Sequence, residues 1–271
     1  MAIPFLLASL LMVTTTLAES TPAWAGAHPP GGAQLRLTVL FNNVPHRTGL
    51  KTGWGFSCLI TGADRSILFD TGADGALLLS NMRRLGLDPK DVDAIVLSHI
   101  HADHTGGLDR FLVERPDVDV WLPADFPPAF QRGITERGAR VRPVGAGGRL
   151  FGDVYSTGPL GDGIVEQALI LDTAKGLVVV TGCAHPGIVR VAESAVRLTG
   201  KRIHLLIGGF HLTRESTAEI DAIVANLRAL GVEKVAPSHC TGEAAIARFR
   251  QAWGKDFVEG GLGAVIMVPL R

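Results

Sequence analysis

The residues best equipped for chemistry lie together in Ser98-His99-Ile100-His101-Ala102-Asp103-His104-Thr105-Gly106-Gly107. Three imidazoles and a carboxylate make a donor set suited to Zn, Mn or Fe. His99 and His101 stand two apart, so at an extended strand end they project to one side and can chelate a single ion. Asp103 and His104 follow once the chain turns, and can address a second ion close by. The two glycines permit the tight turn that brings both pairs together. Two ions sharing a water would bring its pKa towards neutrality and leave a hydroxide nucleophile. That is the chemistry of metal-dependent hydrolysis.

These residues need a scaffold, and the hydropathy pattern supplies one. Residues 35–40, 55–61, 66–70, 94–98 and 118–122 read as strands, and the fourth runs directly into the histidine loop. A helix is expected over 76–85, stopped by Gly86. The second half repeats the alternation. Strands at 168–171 and 177–181 pair through Lys175-Gly176, followed by a helix at 188–198 and a strand at 203–207. A helix at 216–230, a short strand at Val235, a helix at 242–253 and a strand at 264–268 complete the chain. Two halves of similar length imply two sheets packed face to face with helices outside, an α/β fold. With no linker between the halves, residues 35–271 form one domain.

The string H-x-H-x-D-H-x-G-G resembles the signature of the metallo-β-lactamase superfamily. Further motifs are similar to its dihydropterin-ribofuranosyl-aminobenzene-phosphate-synthase-like branch. They are Glu166-Gln167, Thr181-Gly182-Cys183-Ala184-His185-Pro186-Gly187, Gly208-Gly209-Phe210-His211-Leu212 and Pro237-Ser238-His239-Cys240-Thr241-Gly242. The resemblance covers roughly residues 35–268 and implies a four-layer αββα sandwich. It implies His99 and His101 as first-site ligands, Asp103 and His104 as second-site ligands, and His239 as the late histidine of the second site. Asp70 would brace the histidine loop without touching metal. One departure stands out: no histidine lies between 105 and 184, where many members carry a third first-site ligand. His185 is the expected replacement, with Cys183 as the rival, since a thiolate is a strong soft ligand. Cys240 is read as a neighbour of the site. His211 stays open between ligand, substrate contact and structural histidine, while His46 and His204 are read as structural or exposed. Trp54 and Lys51 sit in a loop that relatives place over the metals.

Lys plus Arg and Asp plus Glu are equal at 26 each, so the chain has no basic excess to attract nucleic acid or an anionic membrane. A small-molecule substrate is the expected partner, and the oligomeric state is left open. The apolar opening followed by Thr16-Leu17-Ala18 or Ala23-Trp24-Ala25 reads as a signal peptide over residues 1–25, with a turn-forming linker over 26–34. The mature protein is then periplasmic or secreted. Stable membrane insertion is not expected, since the apolar run falls short of the about 20 residues a span needs. Three cysteines are too few for a disulfide framework. The leading function is hydrolysis of an ester-like bond, with Asp103 as the catalytic carboxylate and two divalent ions, zinc foremost, as cofactors. The alternatives are the branch's condensing transferase, which joins a dihydropterin to an aminobenzene ribotide, and a non-catalytic metal-binding module.

Overall fold

The computed structural model describes residue 1 and residues 34–270, and the body of the fold is the unit Gly31–Arg271. The expected signal peptide and nearly all of the expected linker lie outside the described residues, while Gln34 opens the first strand. No helix among the described residues is long and apolar enough to cross a membrane.

The first sheet contains β1 (Gln34–Phe41), β2 (Ser57–Thr61), β3 (Ile67–Phe69), β4 (Ala94–Val96), β5 (Asp119–Pro123) and β6 (Arg140–Val144) in sequence order. The second contains β7 (Gly148–Phe151), β8 (Val154–Ser156), β9 (Leu169–Thr173), β10 (Gly176–Thr181), β11 (Ile203–Gly209) and β12 (Lys234–Ser238), again side by side. The last strand, β13 (Val265–Pro269), returns to the first sheet and pairs antiparallel with β1. From β3 to β6, and from β10 to β12, neighbours run parallel. Parallel pairing needs crossovers. In the second sheet these are the helices α5 (Ile188–Thr199) and α6 (Thr217–Ala229).

Two-residue periodicity sorts the strands' side chains into layers. In β10, Val178 and Val180 join Leu35, Leu37, Val39, Ile67 and Phe69 in a core between the sheets. Leu177 and Val179, the alternate residues, pack outward with Val191 and Ala195 of α5, Leu227 of α6 and Phe249 of the last helix, α7 (Glu243–Trp253). Across the molecule, Leu68, Ile95 and Leu97 meet α1 (Gly75–Arg84) and α3 (Leu108–Glu114) through Leu78, Met82, Phe111 and Leu112. Three cores separating helices, sheet, sheet and helices make the four-layer sandwich that the resemblance implies. Caps follow their chemistry. Asp74 accepts from Ala76 N and Leu77 N at the start of α1, and Ser216 and Glu219 close a reciprocal capping box on α6.

Several elements are absent from the sequence reading: α2 (Ala102–Thr105), α3, α4 (Pro128–Glu136) and the strands β6, β7 and β8. α2 is a single turn inside the histidine loop. β6 and β7 are edge strands, one in each sheet, and in β6 exposed residues such as Arg140 and Arg142 erase the apolar alternation.

Candidate metal centre

Every chemically interesting loop leaves the carboxyl end of a strand. Asp70 follows β3, Ser98 and His99 follow β4, Cys183 and His185 follow β10, His211 follows β11, and His239 follows β12. The four non-glycine residues with positive φ among the described residues are Asp70 (55°), Ala184 (59°), His211 (53°) and His239 (52°), all in these loops. Left-handed backbone is costly for an L-residue and persists where surrounding structure over-determines it, which is characteristic of functional sites.

Two adjoining donor groups result. His99, His101 and His185 bring ligand atoms within 4.8 Å of one another, and so do Asp103, His104, Cys183 and His239. The His99 and His104 rings, 4.2 Å apart between centroids, join the groups. His185 therefore lies within reach of the third place beside His99 and His101. Cys183, expected as its rival there, stands in the other group, with Sγ 3.2 Å from His104 Nε2. α2 is the turn that separates His101 from Asp103 and His104.

The histidines are held from behind. Asp70 is fully buried, and its Oδ1 accepts from Ser98 N at 2.7 Å. Its Oδ2 lies 2.7 Å from both Ser98 Oγ and His104 Nδ1. A carboxylate only accepts, so Ser98 Oγ and His104 Nδ1 donate to it. Ser98 Oγ is then left to accept from His99 Nδ1 at 2.9 Å. His239 Nδ1 is likewise engaged by Asn43 Oδ1 at 2.8 Å. In His99 and His239 this fixes the proton on Nδ1 and leaves Nε2 free for the cluster, and in His104 it anchors the ring through Nδ1, the usual way of orienting a metal-binding imidazole. Gly182 is required beneath, since a Cβ there would stand 2.1 Å from Ser98 Oγ.

Glu166 holds the other side. It is 2% exposed. Oε1 accepts from Gly182 N, Cys183 N and Ala184 N at 3.1, 2.9 and 2.9 Å, and Oε2 accepts from His185 N at 2.9 Å. Its neighbour Gln167 donates from Nε2 to Leu97 O at 2.8 Å and from its backbone N to Ser98 O at 3.0 Å. One dipeptide thus pins both ligand loops, one from each sheet. Glu166-Gln167 was legible as a motif, but its role was not. Ser98 stood in the histidine motif with no role assigned, and Asn43 was missed altogether, because only the fold brings it to His239.

The electrostatics suit a cation. Burial, then the neighbouring His104, His185 and His101, keep His99 from protonating, far below the ordinary imidazole range. Burial, then His211 and His101, lower His185 to about 4. Burial opposes the charge on His104, but Asp70 and Asp103 outweigh it and raise its pKa to about 10. Burial works against the Asp103 carboxylate too, yet the neighbouring His104 and His239 hold it far below its usual range. Burial pushes the Glu166 carboxyl up against its four backbone donors. His185 Nε2 and His239 Nε2 are buried without a hydrogen-bond partner, although His239 Nε2 lies 3.3 Å from Asp103 Oδ2. Unpartnered lone pairs facing inward are what an ion would satisfy.

A proton consequence follows. With its folded pKa raised above 6.5, His104 is protonated at pH 7 in the ion-free chain. The stability it contributes is complete below about 6.5 and lost as pH rises through about 10. The Cys183 thiol, pushed up by its hydrogen bond with Cys240 and by burial, is protonated as well. Filling the two groups at pH 7 should therefore release about two protons. Calorimetry in buffers of different ionisation enthalpy measures this, and a zero slope would contradict the assignment of His104 and Cys183 as ligands.

Beside His185 lies a groove of about 630 Å³, lined in part by His211, Pro186, Arg190, Phe210 and Ile223. Trp54, 57% exposed, places its ring centroid 5.0 Å from that of His239. His204 is remote from the clusters in its contacts and pairs with Glu233 at 3.1 Å.

Comparison with known proteins agrees with this geometry. The family described as the metallo-β-lactamase superfamily matches residues 55–207. The 7,8-dihydropterin-6-methyl-4-(β-D-ribofuranosyl)-aminobenzene-5′-phosphate synthase of Methanocaldococcus jannaschii is 30% identical, the alignment covering 78% of this chain and 89% of the relative. Among solved structures, a metal-dependent hydrolase of the β-lactamase superfamily is 29% identical with a TM-score of 0.74, over 87% of this chain and 99% of the other. The metallo-β-lactamase fold protein YhfI of Bacillus subtilis, 15% identical, shares the fold with a TM-score of 0.63, over 87% of this chain and 100% of its own. By its sequence motifs, its four layers and these likenesses, the chain belongs to the metallo-β-lactamase superfamily.

Proposed function

We propose that this protein is a hydrolase that works with two divalent ions, zinc foremost and Mn or Fe as alternatives, on an ester-like bond. The observation that carries the reading is the pair of adjoining donor groups into which His185 and His239 turn buried, unpartnered Nε2 atoms. His99, His101 and His185 would hold one ion, and Asp103, His104, Cys183 and His239 the other. When bound, the ions would supply an acidified water and a Lewis acid for the carbonyl or phosphoryl oxygen. Asp103, kept ionised by His104 and His239 and 20% exposed at its side chain, would orient that water and take up its proton. The groove beside His185 and His211 would receive the body of the substrate. The similar solved structure described as a metal-dependent hydrolase supports this reading.

A second reading is a condensing transferase on the same ions, favoured by the 30% identity to the methanogen synthase. The two differ in nucleophile. Turnover of ester, lactone and phosphoester substrates in isotopically labelled water distinguishes them, because only hydrolysis places the label in the product.

The purified protein should carry at least two equivalents of divalent metal, and chelation should abolish hydrolysis. His101→Ala should lose metal and activity together, while His204→Ala should keep both. Only traces of metal after reconstitution would sink the enzyme reading.

A further inference from the structure

A third donor set is left over once the two groups are assigned. Cys183, His211 and Cys240 bring ligand atoms within 4.8 Å of one another. They come from the carboxyl ends of three adjacent parallel strands, β10, β11 and β12. The cysteines are 3% and 4% exposed, and all three cysteines of the chain are free thiols.

Two independent features show that this set is built. The first is Gly209. A Cβ there would stand 2.4 Å from Gly182 O, 2.7 Å from Cys240 Sγ and 3.2 Å from Cys183 Cα, so only glycine lets Cys240 and the backbone that carries Cys183 close over that point of β11. The second is His211, held at a φ of 53° although it belongs to neither donor group. Its loop is fixed on both sides, by Thr181 Oγ1 donating to Gly209 O at 2.8 Å and by Phe210 N donating to Thr241 Oγ1 at 3.0 Å. The strain is therefore imposed, and it carries an exposed imidazole to the two buried sulfurs. The exposure of His211 also leaves an entry path for an ion.

We propose that Cys183, His211 and Cys240 form a third metal site for a thiophilic d10 ion of the zinc kind, joined to the second donor group through the Cys183 sulfur. Two thiolates and an imidazole are a soft donor set that selects zinc over hard cations. Cys240, held low by its hydrogen bonds with Cys183 and His211, meets the ion as a thiolate, and the proton of Cys183 is the one released to solvent when that sulfur first takes up metal. No electron is transferred and no further reactant is needed. The site goes beyond the dinuclear centre but rests on it, since Cys183 is common to both.

The full chain, kept reduced and stripped of metal, is titrated with Zn²⁺, and bound zinc is counted after free ion is removed. Wild type should reach three equivalents, and Cys240→Ser and His211→Ala two each. Replacing the exposed His211 keeps the test valid should Cys240→Ser fold poorly. With Co²⁺, sulfur-to-metal absorption should grow on the third equivalent in wild type and stay flat there in Cys240→Ser. Saturation of wild type at two equivalents, or equal counts in all three proteins, would overturn the third site and leave the dinuclear centre standing. Fewer than two equivalents in wild type would overturn both.

Discussion

Glu166→Ala should strip the protein of metal and lower its stability by at least ~3 kcal/mol, since each buried donor left unpaired costs about 1–3 kcal/mol. Four backbone N–H groups, from Gly182 to His185, lose their acceptor at once. In a domain of this size each kcal/mol moves Tm by about 2–4 °C, so a fall of roughly 6–12 °C is expected. The loop they hold carries Cys183 and His185, one ligand for each donor group. Metal affinity should therefore drop at both, by at least the 10–100-fold typical of lost supports. Glu166→Gln makes the informative comparison. Its amide oxygen can still accept the three bonds at Oε1, but its NH2 would face His185 N. It should recover most of the stability, with the larger remaining defect at the His99–His101–His185 group. Equal loss in both variants would show that charge, and not the pattern of acceptors, does the holding.

His185→Ala and Cys183→Ala should separate the two donor groups. Removing His185 leaves His99 and His101 alone and should empty that group first. Removing Cys183 leaves Asp103, His104 and His239 and should weaken the other. In protein carrying two equivalents of cobalt, the sulfur-to-metal charge-transfer band should survive His185→Ala and fall by at least half in Cys183→Ala. A band lost with His185 and kept without Cys183 would reverse the assignment.

The sequence sets Cys183 against His185 for a definite reason. Residues two apart on an extended strand share a face, so Cys183 and His185 read as rivals for one place. Ala184, between them, has a φ of 59°. That left-handed residue breaks the alternation, and the two side chains part into different groups. Where the backbone stays regular, the pattern is readable: the apolar runs at 94–98 and 177–181 mark β4 and β10, and the histidine loops follow them. The supports are not readable. Ser98, Asn43 and Glu166 act across sequence separations that no local periodicity records, such as the 196 residues between Asn43 and His239. The edge strands β6 and β7 fail for the opposite reason, having too little buried surface to leave a pattern.

The donor groups draw on both sheets, with His99, His101, Asp103 and His104 following β4 and Cys183, His185 and His239 following strands of the second sheet. The complete set exists only where the sheets are docked, so an ion favours the folded chain over the unfolded one. If the donor groups bind metal, folding stability should rise with free metal, by about 2.7 kcal/mol at a hundredfold excess over Kd. Bound ions would then tie the strand ends of the two sheets together, and the time the chain survives proteases should track the metal supply of its surroundings.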